Sequence, residues 1–89
     1  MEELTITIRN KTGLHMRPAG ELVRVASGFE SSIAILREGI SANGKSIISV
    51  ISLAAESETD ITIQADGPDE TAALEALANL VERNFGEDG

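Results

Sequence analysis

Eighty-nine residues, a formal net charge of −8 and no cysteine set the first bounds: one domain, 1–89, whose core must hold without disulfides. The negative charge argues against binding to a nucleic-acid backbone, and no apolar run approaches the roughly 20 residues that span a bilayer. The opening MEELTITIRN lacks the basic-then-apolar order of a signal peptide, so the expected location is the cytoplasm.

In chain order, LTITIR (4–9) alternates, with Leu4, Ile6 and Ile8 on one side and Thr5, Thr7 and Arg9 on the other. That is the pattern of a half-buried strand. NKTG (10–13) reads as a turn. From Pro18 to Gly28 the apolar residues Ala19, Leu22, Val23 and Ala26 recur at helical spacing, with Gly28 as the C′ stop. Ile33 and Ile35 alternate in SSIAILRE, and Glu38-Gly39 suggests a hairpin into a short strand over 40–42.

GKSIISVISLAA (44–55) is ambiguous. The β-branched residues Ile47, Ile48, Val50 and Ile51 favour a strand. Positions 47, 48, 51 and 54 equally form a helical stripe that Ser46 would cap. Local evidence divides evenly. A further strand runs through Ile61, Ile63 and Ala65 and ends near Gly67. Leu74, Leu77, Ala78 and Val81 then mark a last helix, with Asp69 as N-cap, acidic groups in the first turn and Gly86 at its end; GEDG (86–89) reads as a frayed tail. This order predicts an α+β two-layer sandwich, one antiparallel sheet with helices on a single face. Phe29 and Phe85 are the only aromatics, so aliphatic residues must fill the space between the layers.

Charge is unevenly spread. Residues 1–55 carry six basic and five acidic groups, and residues 56–89 carry one basic and ten acidic. The first part also holds the only histidine, in GLHMRPAG (13–20). One histidine without cysteine does not make a metal site, and neither a nucleophile-elbow motif nor a glycine-rich phosphate loop is present. A lone histidine is more often an ordinary surface residue than a site, and its neighbours alter that balance. Pro18 is tolerated only in the first turn of a helix, so a helix must begin close to His15. The first amides, those of Met16 and Arg17, would then point outward, and helix starts of this kind bind anions. Arg17 adds a planar guanidinium that matches phosphate geometry, and an imidazole with a free ring nitrogen is a nucleophile. The residues thus describe a histidine that takes up a phosphoryl group.

GLHMRPAG resembles the active-site motif of the HPr family, the histidine-containing phosphocarriers of the bacterial phosphoenolpyruvate-dependent phosphotransferase system. GKSIISVISLAA resembles the family's regulatory-serine segment, and ADGPDETAALEALANLVERNFGE resembles its last strand and helix. The likeness covers nearly the whole chain. It implies a four-stranded antiparallel sheet with three helices on one face, in the order β-α-β-β-α-β-α. It also implies a carrier rather than an enzyme, without cofactor or metal. Enzyme I would phosphorylate His15, at Nδ1 by family analogy, and an EIIA domain or protein for sugar uptake would receive the group. Arg17 and the amides of Met16 and Arg17 would hold the phosphoryl oxygens.

The resemblance further makes the segment after Ser46 a short helix, with Ile47, Ile48 and Ile51 as a partner-docking patch. Ser46 matches the serine phosphorylated by HPr kinase/phosphorylase, with a catabolite-control transcription factor as a further partner; a plain N-cap is the equal alternative for this residue. A carrier of this kind is most simply a monomer. Met16 departs from the pattern, standing where the family usually has alanine or another small residue, and so do Gly20 in the first helix and Ser49. A carrier of the nitrogen branch, with the same chemistry and other partners, is an alternative. So is a small ligand-binding module, which explains neither His-x-Arg-Pro nor the Lys-Ser pair.

Overall fold

The computed structural model describes residues 1–86, so the predicted tail lies outside the described residues beyond Gly86. The elements are β1 (Glu2–Ile8), α1 (Met16–Ala26), β2 (Ser32–Arg37), β3 (Ile40–Asn43), α2 (Ile47–Ser52), β4 (Thr59–Asp66) and α3 (Glu70–Glu82), followed by a 3-10 turn over Asn84–Gly86. The four strands form one antiparallel sheet in the order β1-β4-β2-β3. The α+β architecture and its element order are those expected.

Strand alternation fixes the register. Ile6 stands opposite Ile61, Leu4 opposite Ile63, Ile35 opposite Ile63 and Ile33 opposite Ala65, which places the apolar residues of adjacent strands on one face. That face packs on the helices: Ile8, Ile33, Ile35, Ile61, Ile63 and Ala65 are buried together with Leu22, Ala26, Leu74, Leu77 and Val81. The opposite face is polar, with a Thr5–Thr62 hydroxyl pair at 2.9 Å and a Gln64–Glu3 hydrogen bond at 3.0 Å. The β2–β3 hairpin turns on Glu38 and Gly39, at φ 48° and 81°, the left-handed pair of a type I′ turn. No helix among the described residues is long and apolar enough to cross a membrane.

The structure corrects several boundaries. Segment 44–55 is helical only over Ile47–Ser52, and the single buried residue of that helix is Val50. The stripe at 47, 48, 51 and 54 therefore lies mainly away from the core, because periodicity marks a face without saying which way it points. Gly28 follows the last residues of α1 without entering the left-handed region; the helix closes through tightened bonds, Gly28 N–H to the Val25 carbonyl at 3.1 Å and Phe29 N–H to Ala26 at 3.2 Å. Asp69 occupies the N-cap position of α3 but makes no side-chain cap bond. α3 ends at Glu82 rather than at Gly86. Asn84 and Phe85 turn left-handed, at φ 54° and 57°, and this turn buries Phe85 in the core.

Candidate functional site

The approach to α1 is set by a tight loop. Gly13 N–H bonds the Asn10 carbonyl at 3.2 Å, and Asn10 Nδ2 returns to the Gly13 carbonyl at 2.9 Å. Gly13 sits at φ 63°, and a Cβ there would lie 2.8 Å from Glu56 Cα. Only glycine meets both demands. Leu14 is buried and donates its N–H to the Ala55 carbonyl at 2.8 Å, locking this loop to the segment after α2. The chain then enters α1 with His15 as N-cap, in extended backbone (φ −73°, ψ −178°) and with no side-chain cap bond.

The first ladder bond of α1 runs from Ala19 N–H to the His15 carbonyl at 2.9 Å. Pro18 has no N–H to offer. The amides of Met16 and Arg17 therefore stand outside the helical ladder at the helix start. The first turn contains no acidic residue. His15, Met16 and Arg17 are exposed, and Arg17 forms no ion pair among the described residues. Glu21, the next acidic residue along the helix, is held by Arg24 at 3.0 Å. The Arg24 hydrogen bond keeps the Glu21 carboxyl below its ordinary pKa. The geometry thus offers an exposed imidazole, two outward amides and a guanidinium outside any ion pair among the described residues, all within three consecutive residues, a setting for an anion of phosphate size.

A shallow pocket of about 350 Å³ lies beside the imidazole, lined by Leu14, His15, Met16, Ile51, Ala54, Ala55 and Glu56. Of the predicted residues it brings together His15, Met16 and Ile51. Ile47 lies against α1 farther along: a Cβ on Gly20 would sit 3.6 Å from Ile47 Cδ1. Ile47 and Ile48 are 37% and 76% exposed, whereas Ile51 is half-buried against the core. Ser46 is not in the pocket lining. It is the N-cap of α2, its Oγ accepting from Ser49 N–H at 3.4 Å.

Sequence reasoning missed Ala54, Ala55, Glu56 and Arg37. Arg37 donates to the Leu53 carbonyl at 3.1 Å and so holds the end of α2. Ala54 turns the chain there at φ 52°, a conformation that alanine does not advertise. The one sequence signal for this contact was Gly13, whose backbone approaches Ala55 and Glu56.

The family model described as "PTS HPr component phosphorylation site" matches residues 2–83. The chain belongs to the HPr family. HPr proteins are phosphocarrier components of the phosphotransferase system rather than catalysts. The chain is 39% identical over 84 residues to phosphocarrier protein HPr of Treponema pallidum, covering 94% of this chain and 96% of that protein. It is 42% identical over 88 residues to HPr of Xylella fastidiosa, covering 99% of each. Among solved structures, HPr of Thermoanaerobacter tengcongensis superposes with a TM-score of 0.97 at 43% identity over 100% of both chains. Crh of Bacillus subtilis, described as a swapped dimer, gives 0.76 at 39% identity over 94% of this chain and 97% of that one.

Proposed function

We propose that this HPr-family chain acts, as a single cytoplasmic domain spanning 1–89, by carrying a phosphoryl group on His15 from phospho-Enzyme I to an EIIA component in sugar uptake. The observation that carries this reading is the open start of α1. There the imidazole is exposed beside Arg17 and beside amides that no helical carbonyl occupies. In the transfer, a nitrogen of His15, Nδ1 by family analogy, attacks the phosphorus. A new P–N bond forms as the donor's bond to phosphorus breaks, and the electron pair of that bond leaves with the donor. Arg17 and the amides of Met16 and Arg17 face the phosphoryl oxygens and stabilise their charge. A P–N bond retains a high transfer potential, so the group can be handed on.

Docking uses the apolar rim of Ile47, Ile48 and Ile51, whose exposure favours a partner surface. A carrier that meets its partners in turn functions as a monomer. Ser46 adjoins this rim, and phosphorylation there by a kinase of the HPr kinase type would add roughly −1.5 to −2 charges and weaken docking. Incubated with phosphoenolpyruvate and Enzyme I, the protein gains one acid-labile phosphate, and an EIIA protein discharges it. A protein that stays unmodified alongside an HPr that reacts contradicts the reading.

A further inference from the structure

Met16 stands apart from the rest of the site. It is a large thioether at the first position of α1, 71% exposed, and it lines the pocket that holds His15. The chain has no cysteine and only two methionines, so sulfur chemistry in this protein is methionine chemistry. Met1 is also exposed, but it lies elsewhere: its ammonium pairs with Glu70 at 3.1 Å and with Asp66 at 3.6 Å, at the start of α3. Exposed thioethers are open to two-electron oxidation, which turns a flexible apolar side chain into a polar, chiral sulfoxide.

We infer that Met16 is a reversible oxidation site whose sulfoxide slows phosphoryl transfer at His15, an inference that rests on the carrier reading above. The reaction balances with a peroxide as oxidant. The sulfur attacks one peroxide oxygen, the O–O bond breaks, an S–O bond forms, and the other oxygen leaves as water after taking up a proton. Sulfur loses two electrons and the peroxide gains them. A thiol-dependent sulfoxide reductase reverses the change.

Two effects act together in the oxidised form. The sulfoxide oxygen is a strong acceptor set in an apolar rim with Ile51 and Ala54, and it must shed its water when a partner closes over the rim. Its negative end also lies beside a helix whose own first turn has no acidic residue, where an incoming anion is to bind. The expected result is a fall of about tenfold in the rate of transfer from phospho-Enzyme I.

The test treats the full-length protein with dilute hydrogen peroxide until peptide mass spectrometry shows Met16 as sulfoxide. Phosphoryl uptake from phosphoenolpyruvate and Enzyme I is then measured against the same protein untreated. Uptake by treated wild type falls while its circular dichroism and melting curve hold. Sulfoxide reductase restores it. The Met16→Leu variant, which keeps Met1, is insensitive to peroxide relative to its own untreated sample. Full-rate uptake by oxidised wild type, equal slowing of Met16→Leu, or slowing that accompanies loss of fold each overturns the inference and leaves the carrier reading standing. Untreated protein that takes up no phosphoryl group overturns both.

Discussion

The starts of α1 and α3 share a backbone feature and differ in everything that surrounds it. At α3 the negative ends are already supplied from within. Asp69 accepts from Ser31 Oγ at 2.5 Å, Ser31 N–H at 2.9 Å and Glu30 N–H at 2.9 Å. Glu70 accepts from Gly67 N–H at 3.1 Å and pairs with the Met1 ammonium at 3.1 Å. At α1 the first turn has no carboxylate, the N-cap is an imidazole without a cap bond, and Arg17 forms no ion pair among the described residues. A helix start attracts anions in general. What sets the start of α1 apart as the candidate site is a first turn without an acidic residue together with a cation outside any ion pair among the described residues. The Asp69 carboxylate ties the start of α3 to Glu30 and Ser31, just ahead of β2, and so commits that helix start to stability.

The strongest way to break this contrast is to give α1 the chemistry of α3. Arg17→Glu places a carboxylate in the open first turn. Transfer from phospho-Enzyme I should fall by about 100-fold or more, while the helix gains roughly 0.3–1 kcal/mol from the favourable charge. Stopped-flow or quench measurements read the first, and denaturant titration the second. Near-normal transfer would mean that the guanidinium plays no part.

Next comes Gly13→Ala, which sharpens the role of the loop that presents His15. A Cβ at φ 63° and 2.8 Å from Glu56 Cα forces the backbone to shift. A loss of roughly 2–3 kcal/mol is expected, together with slower transfer. An unchanged urea midpoint would contradict the packing described for this contact.

A smaller change is expected from Asp69→Asn, and its signature is its pH dependence. Hydrogen bonds from the Ser31 hydroxyl, then the Glu30 amide and the Ser31 amide, hold the Asp69 carboxyl below its ordinary pKa. A carboxyl with a lowered folded-state pKa contributes stability above its unfolded pKa, and that contribution is lost as pH falls through the folded value. The melting-temperature gap between wild type and Asp69→Asn should therefore be full at pH 7 and shrink below about pH 4. A gap that stays constant over this range contradicts the charged clamp. Phosphoryl transfer should be unaffected at pH 7. The smallest effect belongs to Gly20→Ala, one turn inside α1. The new Cβ meets Ile47 Cδ1 at an ordinary 3.6 Å, so stability should rise by about 0.5–1 kcal/mol. Destabilisation would show that α1 and α2 pack too closely there to admit a methyl group.

Features set by neighbouring residues were legible in the sequence. The alternation of Leu4, Ile6 and Ile8 marked β1, Glu38-Gly39 marked the hairpin, and Pro18 placed the start of α1 close to His15, where Met16 opens the helix. Features set by distant contacts were not. The β-branched run at 47–51 suits a strand as well as a helix, and only packing against α1 and the sheet turned Val50 inward and left Ile48 outside. Asp69 looked like a cap, yet its carboxylate found Ser31 and Glu30 across the fold. The end of α3 was set by Phe85 reaching the core through Asn84 and Phe85, two left-handed residues that precede the expected stop at Gly86. The histidine, arginine and proline of the site were readable as a group; the wall formed by Ala54, Ala55 and Glu56 was not, because it comes from another element.

The open start of α1 is tested most directly by following backbone amide resonances as phosphoenolpyruvate and Enzyme I phosphorylate the protein. The amides of Met16 and Arg17 should shift most, in step with a phosphorus signal of phosphohistidine. Those of Glu70 and Thr71 at the start of α3 should stay in place. Phosphorylation that leaves Met16 and Arg17 unmoved, or that shifts both helix starts alike, would contradict the account.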